Sequence, residues 1–243
     1  MIPIPGASFV VIFTMARLAR MVIAGIPHHV TQRGNRREPI FFEEGDQDIY
    51  RDLLAEQTRK AGVEVWAYCF MPNHVHLILS PTRADGLGLA VGEAHRRYTN
   101  FINARGRRTG HLFQCRFASV AMDDRHLLAA VSYVSLNPVR AGLTQRAADW
   151  AWSSVRAHLD GKDDGVVMVR PILDRVSCFS DLLLEDRDEA FAALRRAEST
   201  GRPVGTAEFV TRLERVLGRR IARRAPGPAP AAAISDRQLN LLE

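Results

Sequence analysis

Apolar and polar positions follow two different periods along the first half of the chain. Residues His28 to Arg33 alternate in the way expected of a strand, and from Asp46 onward apolar residues recur at helical spacing. Val63 to Phe70 is rich in β-branched and aromatic residues, the turn Met71-Pro72-Asn73 follows, and His74 to Leu79 reads as the next strand. The pattern predicts a strand, a helix and then a β-hairpin whose second strand carries histidines.

Three further elements follow the hairpin. A long helix is predicted from Leu87 to Ala104 and a strand from Phe113 to Met122. Asp123-Asp124 can cap a third helix that runs toward Asn137, where Pro138 is expected to stop it. The order predicts an α+β fold with an antiparallel sheet and helices packed on one side of it, close to a ferredoxin-like arrangement.

The flanking segments look different from this core. Residues 1–14 are expected to be a leader of no structural importance, with Met15 as a possible true start. Residues 15–160 form the predicted main domain, and residues 161–224 form a predicted basic helical appendage. The clearest helix of the appendage runs from a Thr206 cap to a Gly218 stop. Residues 225–243 read as a low-complexity tail.

Composition favours a soluble protein with a polyanionic partner. The chain has 243 residues, 47% of them apolar, a net charge of +6 and a pI near 9.8, values that favour nucleic acid as the partner. Arginines are concentrated between residues 195 and 224, although the presence of only two lysines leaves a coding bias as an alternative explanation. No apolar run approaches the ~18 residues of a membrane span. Three widely spaced cysteines favour a reducing cytoplasm.

His74 and His76 are candidate metal ligands. In a strand, residues i and i+2 point to the same face about 6 to 7 Å apart, so both imidazoles can reach one ion. A shell of nitrogen and oxygen ligands admits manganese or magnesium as well as softer transition metals. Two exposed polar residues on a strand are the alternative interpretation of the same pair.

Tyr133 and Asn137 are a candidate nucleophile and a candidate third ligand. They lie four residues apart on the predicted third helix, so their side chains share one face. The amide oxygen can bind an ion, and the phenol beside it can attack an electrophile. The alternative makes Tyr133 a core aromatic and Asn137 a helix cap. The competing tyrosines are Tyr50, Tyr68 and Tyr98, which lack such an oxygen ligand at the next helical turn before a proline.

Four ordered motifs resemble a known family. They are His29-Val-Thr-Gln-Arg-Gly-Asn-Arg-Arg37, Met71-Pro-Asn-His-Val-His76, Gly110-His-Leu-Phe-Gln-Cys-Arg-Phe117 and Tyr133-x-x-x-Asn-Pro-Val-Arg-Ala-Gly-Leu143, with Trp152-Ser153-Ser154 after them. Together they resemble the REP-associated tyrosine transposases, which are single-tyrosine HUH transposases of bacteria. The resemblance covers roughly residues 15–160.

The resemblance implies a site and a reaction. His74, His76 and Asn137 would hold a divalent ion, Mg²⁺ or Mn²⁺, and Tyr133 would attack a DNA phosphate to give a 5′-phosphotyrosine link and a free 3′-OH. The implied substrate is single-stranded, hairpin-forming repeat DNA. One departure is Ser135, at a position where the family often has histidine.

Basic and polar residues that flank the site are the expected DNA contacts. Together they suit a basic groove for a strand backbone. They are Arg33, Asn35, Arg36, Arg37, His111, Arg116 and Arg140.

Two other functions remain open at this point. The chain could be a catalytically inactive protein that binds repeat DNA, or an HUH relaxase or replication initiator, which the lack of an accompanying helicase-sized segment disfavours. Lys60 and Lys162 lack the glycine spacing of a P-loop, so no nucleotide cofactor is expected. A monomer or a homodimer fits the sequence equally well.

Overall fold

The computed structural model describes residues 21–184 and 188–221. The predicted leader, the possible start at Met15 and the predicted tail lie outside these residues. The helices and strands within them are β1 (His28–Arg33), α1 (Asp46–Ala61), β2 (Val63–Met71), β3 (His74–Pro81), α2 (Gly86–Arg105), β4 (Ala118–Ala121), α3 (Asp124–Arg140), α4 (Val155–Asp160), α5 (Arg170–Leu173), α6 (Asp188–Thr200) and α7 (Ala207–Leu217).

The strands of the described residues form one four-stranded antiparallel sheet in the order β2-β3-β1-β4. The first strand pairs with β3 so that Thr31 lies opposite His76 and Arg33 lies opposite His74. This order, with α1 between β1 and β2 and α2 between β3 and β4, confirms the predicted α+β class and its ferredoxin-like arrangement.

The helices cover both faces of the sheet, so the expectation of helices on one side is wrong. The face with Val75, Leu77 and Leu79 packs in one core cluster with residues of α1 and α2. The opposite face, which includes Ile78, packs in a second cluster with α3 and α6. Strand β2 is buried and mostly apolar on both sides, a pattern typical of a sheet covered on both faces.

The fourth strand is shorter than predicted. Only Ala118–Ala121 pairs with β1, while Phe113 makes an isolated bridge to Gly34. Cys115 between them has a φ of +53°, a conformation that interrupts an extended strand. Phe113 and Phe117 are buried apolar residues of this loop, and for that reason its sequence resembles that of a strand.

Helix α3 begins where the sequence predicted and ends three residues later. Asp123 caps its first turn by accepting a hydrogen bond from the His126 backbone N–H at 3.0 Å. Pro138 lies inside the helix and does not stop it. A proline this close to the end removes a single backbone donor, and Gly142, with a φ of +68°, ends the segment instead.

The described residues divide into two compact units, and the boundary lies between Thr206 and Ala207. Of the predicted basic appendage, residues 161–206 belong to the first unit, where α6 packs against α3 and β4. The second unit contains α7, which is followed by Gly218 at a φ of +62° as the sequence predicted. No helix in the described residues combines the length and the apolar character that crossing a membrane requires.

Candidate active site

Two neighbouring strands bring histidines together on the face that α3 covers. His74 and His76 share a face of β3 because they are two residues apart. The register between β1 and β3 places Arg33 beside His74 on that face, and alternation along β1 adds His29. His29 and His76 are almost fully buried, and His74 is partly exposed.

Helix α3 contributes the other two predicted residues. The Asn137 amide nitrogen lies 2.9 Å from Nε2 of His76. The Tyr133 ring meets the His76 ring edge to face, with centroids 5.4 Å apart, and lies 6.0 Å from the His29 ring. The structure therefore groups the four residues that the sequence singled out as nucleophile and ligands, since the His74 and His76 ring centroids are 4.8 Å apart.

The histidines of this site are held in their neutral form. Burial, together with the nearby Arg33 charge, lowers the pKa of His74 to about 4. Burial also places the pKa of His76 well below its usual range, and the neighbouring His29, His74 and Arg33 add to this effect. Both imidazoles are thus neutral at pH 7, which is the form that binds a metal ion.

The surroundings of His74 fix which nitrogen it offers. Its Nδ1 lies 2.6 Å from the Asn73 side-chain oxygen, and the Asn73 amide nitrogen donates at 3.0 Å to the Arg37 carbonyl oxygen. Because Asn73 accepts through its oxygen, Nδ1 of His74 carries the proton and Nε2 keeps its lone pair. His76 likewise accepts from Asn137 through Nε2. With the Asn137 amide turned so that its oxygen faces His76, the donor set of His74, His76 and Asn137 fits a divalent ion.

The nucleophile candidate lies under α6. The Tyr133 side chain is 8% exposed, and its ring lies 5.3 Å from that of Phe191. Burial raises the pKa of Tyr133, the Glu198 charge raises it further, and Arg195, Arg33 and Arg140 act in the opposite direction. The phenol is therefore protonated at neutral pH.

A cleft of about 810 Å³ opens beside His74 and His76. Four arginines line it: Arg33, Arg37, Arg116 and Arg195. Glu198 also lines the cleft, and burial raises its pKa to about 7 against the lowering effect of Arg33 and Arg195. The cleft is thus strongly basic, a property that suits the phosphate backbone of a nucleic acid.

The predicted DNA contacts separate into two groups. Arg33, Arg37 and Arg116 line the cleft. The other four are exposed and do not line it. Asn35 and Arg36 lie in the turn after β1, His111 lies in the loop before β4, and Arg140 lies at the end of α3, where its guanidinium is 5.2 Å from the centre of the Phe191 ring.

Sequence reasoning missed His29 and Glu198 as residues of the site. With His76 they form a group whose ligand atoms all lie within 4.8 Å of one another. His29 could have been found from the alternation of β1, given the knowledge that β1 pairs with β3. Nothing in the local pattern marks Glu198, because only the packing of α6 brings it to the histidines. Arg195 was noticed only as part of a basic segment.

Comparisons with known proteins agree with this geometry. Residues 23–137 match the family model described as "Transposase IS200 like". A putative REP-associated tyrosine transposase of Haemophilus influenzae is 26% identical over 131 residues, which cover 48% of this chain and 74% of that protein. A solved structure of a REP-associated tyrosine transposase bound to a REP hairpin matches with a TM-score of 0.52 and 22% identity, covering 64% of this chain and 90% of that one, and it shows the shared fold. Residues 23–137 of the chain therefore match the IS200-like transposase model, and the chain is similar to a REP-associated tyrosine transposase in sequence and in fold.

Proposed function

We propose that the protein binds single-stranded, hairpin-forming repeat DNA and cleaves and rejoins it with Tyr133 as the nucleophile. The observation that carries this proposal is the docking of α3, which sets the Asn137 amide 2.9 Å from His76 and the Tyr133 ring beside the same histidine. A nucleophile and three polar ligands on two separate elements are the composition expected of a metal-assisted phosphoryl-transfer site.

The basic cleft supports DNA as the substrate. Arg33, Arg37 and Arg116 line it and would contact the phosphates of a single strand, while Asn35, Arg36, His111 and Arg140 extend the surface around it. The related transposase whose fold this chain shares is bound to a REP hairpin, and we assign the same kind of ligand here. We propose the cytoplasm as the location of this activity, since the REP-associated tyrosine transposases that the chain resembles are bacterial.

The ligands proposed for the ion are His74, His76 and Asn137. Both histidines offer Nε2, and rotation of the Asn137 amide about its Cβ–Cγ bond would present the oxygen in place of the nitrogen. When bound, Mg²⁺ or Mn²⁺ neutralises the charge that develops on the phosphate oxygens.

The reaction follows from the position of Tyr133. Its phenolic oxygen attacks the phosphorus, the bond between phosphorus and the 3′ oxygen breaks, and the phenol loses its proton as the 3′ oxygen gains one. The products are a phosphotyrosine ester on the 5′ side and a free 3′-OH. Attack of a 3′-OH on this ester reverses the step without nucleotide hydrolysis, because the phosphodiester energy is kept in the ester.

The test is formation of a covalent adduct with a labelled hairpin oligonucleotide in Mn²⁺, resolved on a denaturing gel. Tyr133→Phe should abolish the adduct because it removes the attacking oxygen, and His74→Ala should weaken it. Tyr68→Phe is the matched control, since its hydroxyl donates to Asp164 and lies in the other core cluster.

An adduct that persists in Tyr133→Phe would show that another residue is the nucleophile. Salt-sensitive hairpin binding without an adduct in any divalent ion would contradict the catalytic proposal and favour a binding protein.

A further inference from the structure

Four side chains from four elements form a continuous polar chain across the sheet. Asn137 of α3 lies 2.9 Å from Nε2 of His76 in β3, and Nδ1 of His76 lies 3.0 Å from Nε2 of His29 in β1. Nδ1 of His29 lies 3.5 Å from the Glu198 carboxylate of α6. These contacts connect His76, a proposed ion ligand, to Glu198 on α6.

The contact between the two histidines is a hydrogen bond and not a shared ion site. The ring planes differ by 15°, the centroids are 5.2 Å apart and the facing nitrogens are 3.0 Å apart. Such a short nitrogen separation at that centroid distance requires the rings to meet edge to edge in nearly one plane. An ion on the line between these nitrogens would lie well inside the roughly 2.0–2.1 Å that a metal–nitrogen bond needs. An ion moved off that line to bonding distance would lie away from both lone pairs, which point at each other.

The observed orientation of the Asn137 amide is compatible with one direction of the protons along these side chains. The amide nitrogen can only donate, so Nε2 of His76 accepts and its proton resides on Nδ1. His76 then donates from Nδ1 to Nε2 of His29. Because a neutral imidazole has one proton, the proton of His29 must lie on Nδ1, which faces Glu198.

The Glu198 end favours the same direction when its carboxylate is ionised, which holds above its raised pKa of about 7. The ionised carboxylate can only accept, so it favours a proton on Nδ1 of His29. Nδ1 of His29 and the facing oxygen of Glu198 are buried atoms without a hydrogen-bond partner, although they are 3.5 Å apart. If the distance between these two atoms shortened by a few tenths of an ångström, they would form a hydrogen bond. This bond would remove the free-energy cost of leaving two buried polar atoms unpaired.

We infer that Glu198 and His29 are positioning residues that hold His76 with its proton on Nδ1, so that the Nε2 lone pair stays directed at the ion. This inference rests on the proposed role of His76 as an ion ligand. Partners of this kind, behind a ligating histidine, orient the ring and raise its basicity as a ligand. His74 has the equivalent partner in Asn73, so both proposed ligands are fixed in the same tautomer.

The fold anchors Glu198 in this position. The chain after α6 returns to the sheet, where Val204 donates to the Ala121 carbonyl oxygen at 2.9 Å and accepts from the Asp123 N–H at 3.2 Å. At the other end of the helix, Phe191 packs on Tyr133. Helix α6 therefore covers the nucleophile and supplies the last member of the chain, which makes it part of the active site.

The experiment measures tautomers in the full-length, metal-free protein. Ring-¹⁵N-histidine labelling and long-range ¹H–¹⁵N correlation spectra distinguish a proton on Nδ1 from one on Nε2. We expect His29 and His76 to carry it on Nδ1 in the wild type. Glu198→Leu removes the terminal acceptor, so it should raise the fraction of His76 that carries its proton on Nε2, where the Asn137 amide can turn and accept through its oxygen. Its affinity for Mn²⁺, measured by calorimetry, should fall roughly 10- to 100-fold.

Two variants control the interpretation. Glu198→Gln keeps an oxygen that accepts from His29, so it should retain the wild-type tautomers and most of the Mn²⁺ affinity. Glu189→Leu makes the same change at an exposed position of α6 and should alter neither measurement.

Three results would overturn the inference. The first is a His76 proton on Nε2 in the wild type. The second is an unchanged His76 tautomer and an unchanged Mn²⁺ affinity in Glu198→Leu. The third is an equal loss of Mn²⁺ affinity in both Glu198 variants with the tautomers intact, which would make Glu198 a direct ligand. Neither measurement uses DNA, so failure of the covalent adduct assay would not contradict the positioning role of Glu198 and His29. Equally, a negative tautomer result would not contradict cleavage by Tyr133.

Discussion

Replacement of His95 by glutamine should remove part of the acid sensitivity of the fold. His95 lies on α2, is buried, and its Nε2 is 2.9 Å from the Tyr50 hydroxyl. Burial raises the pKa of Tyr50, so its hydroxyl is protonated and can donate to the unprotonated Nε2 of His95. The imidazole is therefore neutral in the folded state, and burial lowers its pKa from 6.5 to about 3.

The sign and size of the effect follow from this depressed pKa. Above pH 6.5 the histidine is neutral in both states, so its full contribution to stability is present. As the pH falls toward 3, the unfolded chain binds a proton that the folded protein excludes, and stability is lost. For a shift from 6.5 to about 3, the loss is about 2 kcal/mol at pH 5 and on the order of 5 kcal/mol below pH 3.

Urea unfolding at pH 7.5 and pH 5.0 measures the contribution of His95 to the pH dependence of the free energy of unfolding. Glutamine can still accept from the Tyr50 hydroxyl but does not titrate. Between pH 7.5 and pH 5.0, the free energy of unfolding of the wild type should therefore fall by about 2 kcal/mol more than that of His95→Gln. Tyr50→Phe is the control, since it removes the hydrogen bond and leaves the buried imidazole, so its pH dependence should resemble that of the wild type. Parallel pH dependences for the wild type and His95→Gln would refute the argument.

Two further predictions concern Phe191 of α6, which packs on Tyr133, and Gly34 in the turn after β1. Phe191→Ala should lower the free energy of unfolding by roughly 3–5 kcal/mol, because its side chain is 1% exposed and packs on Tyr133; urea unfolding that shows a loss below 1 kcal/mol would contradict this packing. Gly34→Ala should weaken hairpin binding in a fluorescence anisotropy titration, because a Cβ would lie 2.9 Å from the Ile40 side chain and closer still to the Glu38 carbonyl oxygen, displacing the turn that holds Arg36. Unchanged affinity would exclude that turn from the DNA contact surface.

Local chemistry made the elements and half of the site predictable from the sequence. The alternation that places His74 and His76 on one face, the four-residue spacing of Tyr133 and Asn137, and the Asp123 cap all depend on neighbouring residues. The errors arose where tertiary context decides. Pro138 is tolerated because its position near the helix end costs a single donor, and the loop before β4 looked like a strand because its apolar residues are buried by packing.

The sequence by itself determined which residues could act together within one element, because the 2.0 and 3.6 residue periods fix the direction of each side chain. Only the tertiary structure decided which elements meet. Docking of α3 on the β3 face puts Asn137 against His76, the β1–β3 register adds His29, and the packing of α6 supplies Glu198. Periodicity shows that a face of an element is apolar but not which other face packs on it. The alignment of polar side chains from four elements is therefore determined by tertiary packing.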